Sequence, residues 1–105
     1  MPPEKYILDA TGKPVPEPNL MKWAEWFEHN RDVRRVASDE FAVNGVAVRV
    51  STVFLGIDHA WSGPPLLWET MVFGGPLNEE QDRCGGSREQ AQAMHAAMVA
   101  RARNA

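Results

Sequence analysis

The dipeptide Asn44-Gly45 constrains the fold of this chain more than any other feature of its sequence. Both central residues of a type I′ hairpin turn need positive φ angles, which asparagine and glycine adopt most readily. After the dipeptide, residues 46–55 alternate with a period of two, and Arg49 and Ser51 mark the more polar face. The pattern predicts a hairpin between strands near residues 33–42 and 46–55.

A third strand is predicted over residues 66–73, which are rich in aromatic and β-branched side chains. Gly74-Gly75-Pro76 ends this strand, and the polar residues 77–86 are typical of a loop. Near the end of the second strand both faces become apolar, at Val53, Phe54 and Leu55. We therefore expect a covering layer at that end of the sheet.

Two helices are predicted on either side of these strands. The first begins at Asn19, whose side chain can cap the first turn, and the last begins at Ser87, which forms a capping-box pattern with Gln90. Each helix carries a mostly apolar inner stripe, comprising Leu20, Trp23, Ala24 and Phe27 in the first and Ala91, Met94, His95, Met98 and Ala102 in the last.

Residues 1–18 form a proline-rich lead-in, in which a short strand is expected near residues 5–8, with an exposed arm as the alternative. A length of 105 residues fits one domain covering residues 1–105. The predicted fold is α+β. A three-stranded antiparallel meander, which the short N-terminal strand could extend to four, packs against two helices that cover one of its faces.

Charge and cysteine content exclude several classes of function. The formal net charge is -3, whereas non-specific nucleic-acid binding needs a clustered basic excess. The single cysteine, Cys84, excludes an intramolecular disulfide and a multi-cysteine zinc site. No apolar run approaches the roughly 18 residues of a membrane helix, and no signal-peptide core begins the chain. We expect neither nucleic acid nor membrane as a partner, and the cytoplasm as the compartment.

The loop over residues 56–65 is the most suggestive stretch for binding, because loops on a rigid sheet often carry function. It places Asp58, His59 and Trp61 together where two strands end. His59 could act as a base or a hydrogen-bond donor with Asp58 beside it. In the alternative, His59 is an exposed turn residue and Asp58 satisfies loop amides.

Glu69 lies inside the most apolar strand, where an unpaired buried charge would be costly. An ion pair with an arginine such as Arg49, Arg34 or Arg35 is the favoured interpretation, and a pocket acid is the alternative. Arg34 and Arg35 also belong to a basic cluster that suits phosphate or carboxylate, although a solvated charge patch fits equally well.

Motifs for metals, cofactors and nucleophiles are absent from the sequence. The three histidines do not have metal-ligand spacing, and there is no GxGxxG, P-loop or GxSxG pattern. Gly85-Gly86-Ser87 leads into a helix N-terminus, where free amides favour anions, although many ordinary helices begin in this way. We assign no catalytic residue, no metal and no cofactor, and we expect His95 to be a core histidine.

Two segments, STVFLGIDH at residues 51–59 and PPLLWETMVFGG at residues 64–75, resemble a family of small proteins encoded by tailed bacteriophages and prophages. The resemblance extends to the helix over residues 20–27 and to His95, and is lost near Cys84-Gly85-Gly86. It implies a phage accessory protein in the host bacterial cytoplasm. Such proteins often counter host defence by sequestering nucleotide signals or by blocking a defence protein.

Three classes of function remain, in the order binding protein, inhibitor of a host defence protein, and enzyme. The residues predicted to border a ligand pocket are Asp58, His59, Trp61, Glu69, Arg34 and Arg35. Indole stacking and arginine forks suit a small anionic, planar ligand, so a nucleotide-derived signal is the expected class. An enzyme also needs a nucleophile and an electrophilic group, and the sequence identifies neither.

A homo-oligomer is expected because a small sheet has two free edges and this one has an apolar face. Alternation places Val53, Leu55, Met71 and Phe73 on the face that also carries Arg49.

Overall fold

Six strands and three helices lie between residues 4 and 105, the part of the chain that the computed structural model describes. In chain order they are β1 (Tyr6–Leu8), β2 (Pro14–Pro16), α1 (Leu20–His29), α2 (Arg31–Arg34), β3 (Arg35–Val43), β4 (Val46–Phe54), β5 (Trp68–Phe73), β6 (Gln81–Cys84) and α3 (Arg88–Arg103). Strands β3, β4, β5 and β6 form an antiparallel meander in that order. The α+β class is confirmed, and the meander has one strand more than predicted.

The predicted hairpin is confirmed at its turn. Val43 lies opposite Val46, so the two residues between them form the connection. Asn44 has a φ of 50° and Gly45 a φ of 79°, which are the positive values that the turn requires. The turn fixes the register of β3 on β4, and hence the face on which each side chain lies.

Replacing Gly45 with valine is expected to lower the free energy of unfolding by about 1–2 kcal/mol, because a β-branched residue is strained at positive φ. A Cβ atom at this position would contact nothing within 4 Å, so the loss would be conformational rather than steric. Urea unfolding followed by circular dichroism measures it. The control Asn44→Gly keeps the turn accessible and should cost much less; an equal loss in both variants would contradict the explanation.

Strand β6 occupies part of the segment predicted as a polar loop, and that prediction is wrong. Its residues lack an apolar alternation because β6 is an edge strand whose first two residues are exposed. Pairing of backbone groups with β5 holds it in place, with Asp82 opposite Thr70 and Arg83 opposite Glu69. The strand therefore depends on its neighbour rather than on its own pattern.

Helix α3 matches its prediction. The Ser87 side chain accepts from the Gln90 amide, and the Gln90 side chain accepts from the Ser87 amide, which completes the capping box. Four residues of its predicted inner stripe are buried, namely Ala91, His95, Met98 and Ala102. Through them α3 packs across one face of the meander. No helix among residues 4–105 is long and apolar enough to cross a bilayer.

Helix α1 differs from its prediction, because it lies at the end of the meander instead of on its face. No α1 residue is fully buried, and Leu20 is 61% exposed. The Trp23 indole donates to the carbonyl oxygens of Tyr6 and Gly56, at 3.2 and 2.9 Å, while Trp26 packs edge-on against Phe54. The indoles thus set the inner side of α1, and within residues 4–105 α3 is the only helix that packs across a face of the sheet.

The expected strand in the lead-in is confirmed as β1, but it does not join the meander. It pairs with β2, with Ile7 opposite Val15. The Asp9 carboxylate accepts from the amides of Thr11 and Lys13 and so closes the turn between the two strands. Residues 1–3 of the predicted lead-in lie outside the described residues.

The core under α3 has two apolar clusters with a polar layer between them. One cluster comprises Val43, Val48, Val50, Val72, Met98 and Ala102, and the other comprises Leu8, Phe54, Leu67, Trp68 and Ala91. Thr52, Thr70 and His95 are also buried, and each falls between residues of the two clusters along its own element.

Candidate functional site

Asp58 closes the loop that was predicted to carry the site. Its carboxylate accepts from the amide of Ala60 at 2.8 Å and from the amide of Leu66 at 3.0 Å. This is the arrangement of an Asx turn, which holds both ends of the loop together. The carboxylate is therefore engaged by the backbone, as in the alternative interpretation of this residue.

His59 and Trp61 both face away from the core. The His59 side chain is exposed, and its backbone amide donates to the Leu66 carbonyl at 3.1 Å. Trp61 is fully exposed, which is unusual for the largest apolar side chain in a protein. An indole held outward on a closed loop can stack on a planar ligand or anchor a partner protein.

Glu69 forms the ion pair that its position predicted, but with another arginine. Its carboxylate oxygen lies 2.8 Å from the Arg83 Nε atom, on neighbouring strands β5 and β6. The prediction of Arg49, Arg34 or Arg35 as its partner is wrong, because the partner lies on the strand that the sequence did not reveal. The pair lies on the sheet face opposite α3.

Arg34 and Arg35 are occupied elsewhere. The Arg34 guanidinium lies 3.5 Å from the centre of the Phe27 ring and donates to the Phe27 carbonyl at 3.1 Å. Burial, with a contribution from the charge of Arg31, lowers the pKa of Arg34. Arg35 begins β3 opposite Val53, and its side chain is exposed.

Two cavities lie on either side of Pro65, and of the six predicted pocket residues only Trp61 lines either one. The Trp61 cavity has a volume of about 610 Å³, and its walls include Trp61, Pro65, Leu66, Cys84, Gly85 and Gln90. The second, which we name the α3 cleft, has a volume of about 500 Å³, and its walls include Tyr6, Lys13, Pro65, Leu67, Ser87 and Arg88. Both volumes fall in the range of small-molecule sites.

The α3 cleft brings cations and free amides to a helix N-terminus. Lys13 comes from the β1–β2 turn, and Arg88 is the first residue of α3. In the described part of the chain the backbone amides of Arg88 and Glu89 have no protein acceptor, which is the normal state of a first turn. Amides, dipole and cations together favour a bound anion, although the Glu89 side chain also lines the cleft.

The position of Arg88 is fixed by bonds to the backbone. Its two terminal nitrogens donate to the carbonyl oxygens of Val33 and Arg35, at 3.0 and 3.1 Å. These bonds tie the start of α3, which lines the cleft, to the start of β3. No carboxylate within residues 4–105 forms a salt bridge with Arg88 or with Lys13.

Tyr6 supplies an aromatic wall of the cleft. Its hydroxyl donates to the Glu4 carboxylate at 2.9 Å. Burial, followed by this hydrogen bond and the charge of Glu4, raises the pKa of the Tyr6 hydroxyl. The residue therefore stays neutral and offers a ring surface rather than a charge.

Gly85 and Cys84 line the Trp61 cavity beside Pro65. A Cβ atom on Gly85 would collide with the Pro65 carbonyl oxygen, so only glycine allows this close approach of the two loops. Burial, with a smaller contribution from Asp82, raises the pKa of the Cys84 thiol. The thiol is therefore less nucleophilic than an ordinary cysteine at neutral pH, which argues against a reactive role.

A chain of polar side chains runs from Asp39 at the surface through the buried residues His95, Thr52 and Thr70. The His95 Nε2 atom lies 2.6 Å from an Asp39 carboxylate oxygen, and Nδ1 lies 2.7 Å from the Thr52 hydroxyl, which in turn contacts the Thr70 hydroxyl. The order of groups resembles a base with its orienting acid and a hydroxyl nucleophile. Both threonines are completely buried, however, so no substrate can reach them. The chain is structural, and His95 is the core histidine that was predicted.

The fold and the cavities define a small α+β protein with an open cleft lined by Lys13 and Arg88. Within the described residues no group of three or more histidine, cysteine or acidic side chains could hold a metal ion. No protein-family model, curated protein or solved structure matches the chain.

Proposed function

We propose that the protein is a non-catalytic binding protein that takes up a small anionic, nucleotide-derived ligand in the α3 cleft. The observation that carries the proposal is the convergence of Lys13, Arg88 and two unpaired α3 amides on one cavity. Lys13 and the two amides are donors that match phosphate oxygens, while Arg88, whose terminal nitrogens bond the backbone of Val33 and Arg35, adds positive charge. The net charge of -3 does not oppose this, because a ligand responds to the local field.

The other walls of the cleft suit the remainder of a nucleotide. Tyr6 offers a ring face to a base or ribose, and Pro65 and Leu67 offer apolar contact. This assignment moves the ligand from the 56–61 loop, where it was first expected, to the start of α3. Trp61 lies across Pro65, so it remains available to a ligand that extends beyond the cleft.

The biological role that fits such a binder follows from the resemblance to phage proteins. We propose that the protein sequesters a nucleotide signal of host defence in the bacterial cytoplasm and releases it unchanged. An accessory protein of this kind needs affinity and abundance rather than turnover.

The test is a thermal-shift screen of cyclic dinucleotides, cyclic trinucleotides and ADP-ribose derivatives. A ligand at about 100 times its dissociation constant should add roughly 2.7 kcal/mol of apparent stability. Lys13→Ala should weaken binding about tenfold, since one charge-assisted hydrogen bond contributes roughly 1.5 kcal/mol or more. Lys22→Ala removes an exposed lysine on α1, outside the cleft, and should leave affinity unchanged. Chromatography of the recovered ligand should show it intact.

Two results would overturn the proposal. In one, no compound of the screen stabilises the protein. In the other, Lys13→Ala and Lys22→Ala weaken binding to the same extent, which would place the anion outside the α3 cleft.

The second candidate is an inhibitor that binds a host defence protein, and the full exposure of Trp61 is the observation that favours it. Outward indoles are common anchors at the centre of protein interfaces. In the same set of experiments, Trp61→Ala separates the candidates. An inhibitor should lose its anti-defence activity in this variant, whereas a binder using only the α3 cleft should keep both activity and ligand affinity.

A further inference from the structure

The sheet face opposite α3 has no covering layer in the described part of the chain. Helix α1 packs at the end of the sheet, and α2 lies at the start of β3. Near the centre of this uncovered face, which we name the open face, lie Val53 and Met71, and Phe73 on the same face is 40% exposed. Apolar surface of this kind in a small domain marks an interaction site.

We infer that the open face is a self-association surface that binds the same face of a second copy of the chain. The charges on the face favour this occupant over a strongly charged partner. Glu40 lies opposite Arg49 on β3 and β4, and Glu69 pairs with Arg83 on β5 and β6. The face therefore has two such pairs beside its apolar patch, and Arg35, opposite Val53 at the start of β3, adds one further positive side chain.

The chain as a whole has a net charge of -3, and the open face has a small positive excess, so its other surfaces together are more strongly negative. Two copies that approach through those acidic surfaces therefore repel each other more strongly than two open faces, on which most charges are paired. A twofold axis in the plane of contact would bring the same apolar patch of both copies together, as isologous dimers require. Arg49 already lies 4.4 Å from the centre of the Phe73 ring, which shields its charge next to the apolar patch.

The size of the face matches a weak dimer. Strands β3 and β4 are nine residues long, β5 is six and β6 is four. With a rise of about 3.3 Å per residue and a strand spacing of about 4.8 Å, the flat footprint is roughly 450 Å². Side chains raise the accessible area above the footprint, so two copies would bury about 1,000 Å² in total, at the lower end of specific interfaces.

Sedimentation velocity from micromolar to submillimolar concentration tests the inference. The unmodified protein should shift from monomer to dimer across this range. Met71→Lys places a charge near the centre of the open face, next to Ser51 and Gln81, and should abolish the dimer. Met21→Lys makes the same change on α1, where the methionine is 76% exposed, and should leave the dimer intact.

The experiment also has outcomes that overturn the inference. A protein that stays monomeric throughout the range has no such interface, and a dimer that persists in Met71→Lys uses a different surface, such as a free sheet edge. Circular dichroism verifies the fold of each variant. If Met71→Lys does not fold, Phe73→Ser makes the same test at a more exposed position and should weaken the dimer at least tenfold.

The dimer and the ligand site can be tested separately. Met71 and Phe73 do not line the α3 cleft, so their variants should retain any thermal shift caused by ligand.

Discussion

Replacing Trp68 with alanine is expected to lower the free energy of unfolding by about 3–5 kcal/mol, the largest effect of any single substitution considered for this protein. Trp68 has no exposed surface, and its ring packs edge-on against Phe54 with ring centroids 4.9 Å apart. Its indole nitrogen also donates to the Gly86 carbonyl at 3.0 Å. Domains usually have only about 5–15 kcal/mol in total, so much of the stability would be lost.

Urea unfolding followed by circular dichroism measures this loss without relying on tryptophan emission. Trp61→Ala is the matched control, because it removes the same side chain from a fully exposed position and should change stability by about 0.5 kcal/mol or less. Similar losses in both variants would show that Trp68 is not the centre of the core.

The Trp68 indole also bonds to Gly86, which lines the α3 cleft. The milder Trp68→Phe change removes this bond and should therefore weaken ligand binding as well as stability.

Replacing His95 with alanine is expected to cost about 2–4 kcal/mol, because it creates a cavity and breaks the buried polar chain. His95 is only 5% exposed, and both of its ring nitrogens have partners. A carboxylate can only accept, so Nε2 donates to Asp39; with a neutral ring, Nδ1 then accepts from Thr52. Without His95, the Thr52 hydroxyl hydrogen has no acceptor in that direction.

The control for this prediction is His59→Ala, at an exposed histidine whose loss should be nearly neutral. A second comparison tests the buried Thr52 hydroxyl against the exposed Asp39 carboxylate. Thr52→Val should be markedly destabilising, because it leaves His95 Nδ1 without its partner in the core. Asp39→Asn should cost less, since the Asp39 side chain is 51% exposed and water can replace its bond. If Asp39→Asn and Thr52→Val lowered the free energy of unfolding equally, the buried hydrogen bond between His95 and Thr52 would not be the more stabilising of the two.

Local signals in the sequence predicted the parts of the fold that depend on a few neighbouring residues. Asn44-Gly45 identified the hairpin because positive φ is a property of single residues, and Ser87 with Gln90 identified the start of α3 because a capping box spans one turn. His95 was identified as a core residue by its place in the inner stripe of α3. These features need no information about distant parts of the chain.

The candidate site depended on contacts between distant segments, and sequence reasoning located little of it. The α3 cleft brings Lys13 beside Arg88, 75 positions later in the chain. The only local signal for it was Gly85-Gly86-Ser87 before a helix, which predicted an anion-favouring N-terminus without its cations. In the 56–65 loop Trp61 lines a cavity, but the carboxylate of Asp58 is used by backbone amides.

The sequence by itself determined the α+β class, the central hairpin turn and the buried stripe of α3, because each follows from periodicity or backbone preference. Only the tertiary structure decided that residues 81–84 form an edge strand, that Glu69 pairs with Arg83, and that α1 leaves one sheet face open. The physical reason is the same in each case. An edge strand, an ion pair across strands and the position of a helix all depend on contacts between segments that are distant in sequence. Such contacts produce no hydrophobic periodicity within either segment, so the pattern of one segment does not predict them.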